Sequence, residues 1–246
     1  MPEQKVAIVT GGGTGIGSAT CRRLAKDGYT LVVAYANSAE PAKALAEEII
    51  SQGGSAFAQR ADIAIEEDVV ALFASTLARF GRVDVVINNA GIGHMNTMKK
   101  IEMDEYDTIF NTNTRGTFMM SREAAKHLMD NGRIINVSTG ATRSNMHSQS
   151  LYTASKIAVE GFTKVLAKEL GAKGITVNVV SPGMTDTPML EGGDAEALRQ
   201  YGAKAAAMRR CGKPEDIADA IGALVSNDCR WITGQNISVC GGSTII

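Results

Sequence analysis

A tyrosine and a lysine four residues apart are the first candidates for chemistry in this sequence. Tyr152 and Lys156 stand in the segment SLYTASK, and side chains at positions i and i+4 of a helix share one face. A phenol, with a pKa of about 10, is a poor acid or base at neutral pH. A neighbouring ammonium would favour the phenolate and lower that pKa. The pair therefore predicts acid–base chemistry, although the same spacing also occurs on many solvated helix faces.

Two adjacent hydroxyl groups precede this pair in the chain. Ser138 ends the apolar run RIINVS, and Thr139 follows it. Successive side chains of a strand point to opposite faces, so the two hydroxyls are not interchangeable. One of them could donate a hydrogen bond to a carbonyl oxygen beside the tyrosine. The alternative is an ordinary strand end that carries polar residues.

A glycine-rich segment, TGGGTGIG at Thr10–Gly17, follows the first apolar run and opens a helical one. Glycines allow a sharp turn, and the helix N-terminus then offers free N–H groups to a phosphate. The spacing differs from the common G-x-G-x-x-G pattern, and glycine turns also occur for packing alone. No G-K-[ST] follows, which argues against an ATP-binding P-loop. A second turn, NNAG at Asn88–Gly91, ends the fourth run, where open parallel sheets bind ligands; an ordinary Asn-Gly turn is the alternative.

Alternating strand and helix patterns must position these residues. Seven β-branched runs predict strands at 5–10, 30–35, 55–60, 83–88, 133–138, 175–181 and 235–240. Helical periodicity predicts helices at 16–27, 39–53, 66–80, 103–130, 151–173 and 214–226. This order predicts an α/β fold, a single Rossmann-type doubly wound sheet of seven parallel strands with helices on both faces, over residues 1–246. The irregular stretch at about 183–213 is expected to be a mobile substrate loop with a short helix near 194–207.

Composition excludes several classes of function. The chain has 246 residues, is 44% hydrophobic and carries a formal net charge of −1, with no dense basic block for nucleic acid. No apolar run approaches the roughly 20 residues of a membrane helix, and the start lacks signal-peptide anatomy. Four cysteines and three histidines show no metal-ligand spacing. We therefore expect a cytoplasmic protein with no metal site and no membrane or nucleic-acid partner.

Taken together and in this order, the motifs closely resemble those of the short-chain dehydrogenase/reductase family over essentially the whole chain. The motifs are Thr10–Gly17, Asp62, Asn88–Gly91, Asn113, the hydroxyls at 138 and 139, Tyr152 with Lys156, and Pro182-Gly183. Within the family, the sequence most resembles 3-oxoacyl-(acyl-carrier-protein) reductase-like members. The resemblance implies an NAD(P)-dependent enzyme that transfers hydride between nicotinamide and a carbonyl or secondary alcohol.

The resemblance also implies catalytic roles. Tyr152 would be the general acid/base, with Lys156 lowering its pKa and holding the nicotinamide ribose, and Asn113 would anchor a proton-relay water. The family's catalytic serine stands thirteen residues before the tyrosine, which is Thr139 here. Its hydroxyl can still polarise a carbonyl, but its extra methyl group and stiffer χ1 would narrow the pocket. Ser138 takes the role if the backbone bends early.

For the cofactor, the resemblance implies a further set of contacts. Pyrophosphate would lie on the glycine-rich loop, the adenine by Asp62 and Ile63, the adenosine ribose by the NNAG turn, and the nicotinamide by the segment after the sixth strand. These cofactor residues are Gly11, Gly13, Thr14, Gly15, Ile16, Gly17, Asp62, Ile63, Asn89, Ala90, Gly91, Tyr152, Lys156, Pro182, Gly183, Thr185 and Thr187.

The second strand decides between NAD and NADP. An acidic residue at its end would accept a ribose 2′-hydroxyl and repel a 2′-phosphate, and AYANS at 34–38 contains none. Asn37 and Ser38 could donate to the phosphate instead. No arginine stands there, and Thr14 occupies a position where many NADP-preferring relatives carry a basic residue. We expect NADP in preference to NAD, with NAD possible.

The resemblance leaves the substrate open. Asp130 stands where carrier-protein reductases tend to carry basic residues, so an acidic carrier protein would meet the wrong charge. Met146, Met184 and Met189 map near the expected pocket, although methionines there more often serve packing. Similar proteins are commonly homotetramers that pair through the helices at 103–130 and 151–173. The alternative function is a catalytically weak, cofactor-binding regulator or scaffold of the same fold.

Overall fold

Seven parallel strands form one sheet within the parts of the chain that this computed structural model describes, residues 4–192 and 194–244. Along the sheet the strands follow the order β3-β2-β1-β4-β5-β6-β7. Their bounds are β1 Val6–Thr10, β2 Thr30–Tyr35, β3 Ser55–Arg60, β4 Val85–Asn88, β5 Arg133–Val137, β6 Thr176–Pro182 and β7 Asn236–Val239. The predicted doubly wound sheet is confirmed, with each strand within a few residues of its predicted range.

Helices cover both faces of the sheet. They are α1 Gly15–Lys26, α2 Ala39–Ser51, α3 Glu66–Phe80, α4 Met103–Phe110, α5 Thr117–His127, α6 Ala141–Ser144, α7 Ser150–Leu170, α8 Ala195–Ala205 and α9 Pro214–Val225. On one face, α1, α2 and α9 pack against the sheet through buried side chains such as Leu24, Leu45 and Ile217. On the other face, α3, α5 and α7 do so through side chains such as Leu72 and Met120. The central strands are buried from both sides, which is why their sequences read as continuous apolar runs.

The strand order reverses between β1 and β4. Both strands pair in parallel, but the chain leaves β1 toward β2 on one side and leaves β4 toward β5 on the other. Connections that diverge in this way open a crevice beyond the carboxyl ends of the strands. The glycine-rich loop and the NNAG turn therefore lie at the edge of the sheet where ligands bind.

The predicted continuous helix at 103–130 is wrong. A π-helical stretch at Asn111–Gly116 separates α4 from α5, and α5 ends at His127. At this break the Thr117 hydroxyl donates to the carbonyl oxygen of Asn113 at 2.8 Å. The Asn113 amide bonds instead to the backbone of Ile92. These tertiary partners stabilise a local widening of the helix that apolar periodicity does not reveal.

The two ends of the segment after β6 are joined to each other. Thr185 forms an isolated parallel bridge with Gly212, and the Gly212 N–H donates to the carbonyl of Met184 at 2.9 Å. Between these ends lie a 3₁₀ turn at Pro188–Gly192 and α8, which matches the short helix predicted near 194–207. No helix in the described residues is long and apolar enough to cross a membrane.

Candidate active site

A cavity of about 800 Å³ lies beyond the carboxyl ends of the central strands. It gathers residues that are far apart in sequence and that the motifs singled out. These are Ile16, Asn89, Gly91, Thr139, Tyr152, Lys156, Pro182, Gly183, Thr185 and Thr187. The strand ends of the sheet, the first turns of α7 and the segment after β6 thus meet at one site.

Tyr152 lies in the first turn of α7 and is half-buried. Burial raises the pKa of its hydroxyl, and a hydrogen bond with the Thr139 side chain acts in the opposite direction. Lys156 does not contribute to this shift, so the lowering of the tyrosine pKa by Lys156 stays a prediction. Thr139 is the side chain that favours the phenolate here.

Lys156 lies one turn further along α7 and is 4% exposed. Its Nζ donates to the carbonyl oxygen of Val137, at the end of β5, at 3.0 Å. Burial lowers the pKa of this ammonium to about 8. A Cβ added at Gly91 would lie 3.1 Å from Nζ, a tight contact that a small shift of the lysine side chain would have to relieve.

Ser138 and Thr139 lie just beyond the end of β5 and both line the cavity, but their hydroxyls have different partners. Ser138 is buried, and its Oγ donates to Glu160 Oε1 at 2.7 Å. Thr139 lines the cavity and bonds to Tyr152, and its Oγ1 also accepts from the Ala141 N–H at 3.2 Å. The structure therefore brings the Thr139 hydroxyl, more closely than that of Ser138, to the phenol.

Asn113 is fully buried within the π-helical stretch. Its Oδ1 accepts from the Ile92 N–H at 2.9 Å, and its Nδ2 donates to the Ile92 carbonyl and to Ser155 Oγ. The amide thus ties the chain just after the NNAG turn to α7, next to Lys156. A Cβ at Gly91 would lie 3.1 Å from Oδ1.

The glycine-rich loop presents mainly backbone atoms, because five of the eight residues at Thr10–Gly17 are glycines. Gly11 and Gly15 have φ of 61° and 51°, values that favour glycine. A Cβ at Gly17 would collide with the Gly11 carbonyl and lie 2.7 Å from Asn89 Nδ2. Gly13 comes close to Ser38, whose Oγ would be 2.9 Å from an added Cβ. This space at the N-terminus of α1 fits a phosphate bound by backbone N–H groups.

The loop is held to the NNAG turn through Thr10. Its Oγ1 accepts from the N–H groups of Asn89 and Ala90, each at 3.1 Å. Asn89 Nδ2 in turn donates to the carbonyl oxygens of Thr10 and Gly11, at 3.0 and 3.2 Å. Asn89 and Ala90, which are predicted to contact a ribose, therefore lie on a turn that hydrogen bonds to Thr10 and Gly11 hold in place.

The remaining predicted cofactor residues follow the same edge of the sheet. Thr14 and Asn37 are exposed, and Ser38 is partly buried. Asp62 is partly buried, and its Oδ1 accepts from the Ala64 N–H at 3.0 Å. The Ile63 side chain is only 3% exposed and packs into the core, and its place beside an adenine stays a prediction.

Sequence reasoning missed several residues of this site. His94 and Gln149 line the cavity, as do Leu190, Tyr201, Met208 and Val239. None belongs to a spaced motif, because they come from loops, from the start of α7, from α8 and from the end of β7. Met146, Met184 and Met189, which sequence placed near the pocket, all line it. Their clustering among apolar neighbours was the one available signal.

Comparison with known proteins identifies the family. A model described as "Enoyl-(Acyl carrier protein) reductase" matches residues 11–244. Short-chain dehydrogenase/reductase GME11373 of Pestalotiopsis microspora is 42% identical, over 97% of this chain and 95% of that protein. The chain belongs to the short-chain dehydrogenase/reductase family.

Two further proteins resemble this short-chain dehydrogenase/reductase over nearly their whole length. The 3-oxoacyl-[acyl-carrier-protein] reductase of a Synechocystis species is 38% identical, over 97% of this chain and 96% of that protein. The crystal structure of a short-chain dehydrogenase from Burkholderia cenocepacia J2315 in complex with NADP is 38% identical, covers 99% of both chains and has a TM-score of 0.91. Both the sequence family and the sheet therefore agree with the expectation from the motifs.

Proposed function

We propose that this short-chain dehydrogenase/reductase transfers a hydride between NADP and a carbonyl or secondary alcohol, with Tyr152 as general acid/base. The observation that carries the proposal is the meeting of Tyr152, Thr139 and Lys156 on one wall of the cavity. When bound, the cofactor donates hydride to the carbonyl carbon or accepts it from the alcohol. The protein residues would handle the proton and the oxygen.

In the reducing direction, the hydroxyl of Tyr152 would give its proton to the oxygen that becomes the alcohol. Thr139 would donate a hydrogen bond to the same oxygen and so polarise the carbonyl. The Lys156 ammonium stabilises the phenolate left behind. Because its pKa is about 8, most of it is charged at neutral pH. We assign Asn113 to positioning, since its amide joins the chain after the NNAG turn to α7.

We propose NADP in preference to NAD. The end of β2 lacks an acid to repel the 2′-phosphate, and Asn37 and Ser38 stand there as donors. Strand register adds a cation that the sequence reading missed, because Arg60 at the end of β3 pairs with Tyr35 at the end of β2. Its side chain is 61% exposed and lies 3.5 Å from Asp68. The Burkholderia structure with NADP supports the same choice.

The test is consumption of NADPH and NADH with a panel of diketones, 3-oxoacyl esters, 3-oxoacyl thioesters and cyclic ketones. Tyr152→Phe should lose at least about a hundredfold in kcat while keeping its affinity for the cofactor. Tyr106→Phe is the matched control, because Tyr106 stacks on Phe110 in α4 and phenylalanine keeps that contact. Cofactor binding without any turnover, unchanged by Tyr152→Phe, would instead support a cofactor-binding regulator.

We also propose a homotetramer in the cytoplasm. Large apolar side chains on α4, α5 and α7 are more than half exposed, namely Met103, Phe118 and Val165. A second copy of the chain would cover them. The cysteines are unpaired, as in a reducing compartment. Light scattering after size exclusion would give the mass, and a monomer would contradict the assembly.

A further inference from the structure

Two buried hydrogen-bond acceptors belong to residues that line the cavity. Within the described residues, His94 Nδ1 and Gln149 Oε1 have no hydrogen-bond partner. Both residues line the cavity. A third atom without a partner, Thr97 Oγ1, lies on the same loop as His94. Unpaired buried polar atoms are uncommon in native proteins and call for an explanation.

The loop and the start of α7 form one continuous wall. The Asn96 N–H donates to the carbonyl oxygen of Ser148 at 2.9 Å, which joins the loop carrying His94 to the residue just before Gln149. The two unpaired acceptors therefore belong to connected backbone, although 55 residues separate them in the sequence. We call His94 and Gln149 the polar wall.

The partner of the other ring nitrogen fixes the chemistry of His94. Its Nε2 lies 3.0 Å from Glu105 Oε1. The Glu102 N–H, followed by the His94 side chain, holds the pKa of Glu105 below its usual value, so this carboxylate is an acceptor. Nε2 must then carry the hydrogen. In the neutral form of the ring, Nδ1 keeps a lone pair and can accept a hydrogen bond.

Much of the remaining cavity lining is apolar and adaptable, although Arg210 and Asp216 also line the cavity. Five methionines line it, and three of these, Met95, Met189 and Met208, are 55–66% exposed. Unbranched thioether side chains adjust to ligands of different shapes and make favourable contacts with aromatic rings. The predicted cofactor residues Ile16, Thr185 and Thr187 line the same cavity, so its volume of about 800 Å³ is shared between cofactor and substrate.

We propose that the polar wall is a subsite for hydroxyl groups of the substrate that lie away from the reacting carbonyl. His94 Nδ1 and Gln149 Oε1 accept hydrogen bonds from these hydroxyls, while the methionines contact the apolar body. The substrate class is then an apolar ketone that carries hydroxyl groups. Because both acceptor atoms are buried, the proposal requires the loop carrying His94 and the Gln149 side chain to shift when such a ligand enters. This inference rests on the proposed function and adds its substrate class.

The test compares tetralone with a set of hydroxytetralone isomers, using the full chain and NADPH. One isomer should exceed tetralone in kcat/KM by about five- to tenfold, as expected for one hydrogen bond. His94→Phe and Gln149→Leu should each bring that ratio close to one, because each removes an acceptor of the preferred hydroxyl, whatever its effect on turnover of tetralone itself. His94→Asn, which keeps an acceptor near the position of Nδ1, should retain part of the preference. His147→Phe is the control, because His147 is exposed and does not line the cavity.

Two results would overturn the inference. One is a wild-type enzyme that treats every hydroxytetralone like tetralone, and the other is a preference that survives both substitutions. If no ketone is turned over, the proposed function fails by itself. Calorimetric titration of the same compounds into the protein–NADP complex then still measures the subsite, and equal affinities for the hydroxylated and plain compounds would contradict it. Unfolding midpoints of the variants identify any loss caused by misfolding.

Discussion

The glycine-rich loop at Thr10–Gly17 and the segment at 183–213 border the same cavity but are built in opposite ways. In the loop, backbone atoms pack so closely that a Cβ at Gly17 has no space. In the segment, side chains such as Met189 and Met208 are 55% and 66% exposed. We propose that the loop binds the cofactor phosphates through its backbone and that the segment contacts the substrate through exposed, adaptable side chains.

The two regions also differ in how their contacts are distributed. Thr10, Asn89 and Ala90 fix the loop through hydrogen bonds to buried strand ends. The ends of the segment meet at Thr185 and Gly212, and its Met208 N–H donates to the Gly241 carbonyl at 3.0 Å. We propose that the 3₁₀ turn at Pro188–Gly192 and α8 move as a lid. Changes in the loop should affect folding and cofactor binding, whereas changes in this lid should chiefly affect the second substrate.

The largest effect is expected from Gly17→Ala in the loop. The new Cβ would collide with the Gly11 carbonyl and Asn89, at a cost of about 3 kcal/mol in the free energy of unfolding. Cofactor affinity should fall as well. Urea denaturation and calorimetry measure the two effects. Gly171→Ala is the control, because nothing lies within 4 Å of its added Cβ; equal stability losses in both variants would contradict the tight loop.

The pKa of Lys156 tests whether water is excluded from the cavity wall next to the NNAG turn. Burial lowers its pKa in the folded protein from 10.5 to about 8, so between these values the unfolded chain binds more protons than the folded one. Stability from this group therefore rises with pH across that window, by on the order of 3 kcal/mol. Urea denaturation from pH 7 to pH 10 should show the slope for wild type relative to Lys156→Met. Parallel curves would mean that water reaches the ammonium.

Thr139 lies between the two regions and should affect catalysis more than stability. Thr139→Ala removes the donor to the substrate oxygen, so kcat should fall by about a hundredfold, and Thr139→Ser should stay within about threefold of wild type. Ser138→Ala should leave kcat unchanged and lose about 1 kcal/mol of stability with its bond to Glu160. Steady-state kinetics and denaturation separate these outcomes, and a loss of activity in Ser138→Ala alone would exchange the two roles.

The smallest effect is expected from Met189→Ala in the segment. Because the side chain is 55% exposed, its removal leaves little buried space empty. KM for a cyclic ketone should rise by no more than about threefold, with KM for NADPH unchanged. Met98→Ala is the control, since Met98 is 72% exposed and does not line the cavity. A large change in cofactor KM would show that the two regions are coupled.

Sequence reasoning worked best where local pattern and tertiary structure agree. The apolar runs gave the seven strands because a strand buried on both faces must be apolar throughout. Helical periodicity predicted one continuous helix at 103–130 and missed the break at Asn111–Gly116. That break depends on hydrogen bonds between Asn113 and Ile92, which are 21 residues apart. Sequence reasoning also failed to find His94 and Gln149, since no fixed spacing marks a loop residue that lines a cavity.

The sequence by itself determined the sheet, the glycine-rich loop and the Tyr152-Lys156 pair, because these depend on local spacing and on residue types that have few substitutes. The tertiary structure alone decided which hydroxyl meets Tyr152 and how far burial lowers the pKa of Lys156. It also decided which loops close the cavity. Those properties arise from atoms far apart in the chain, and both desolvation and hydrogen bonding depend on what surrounds a group in space.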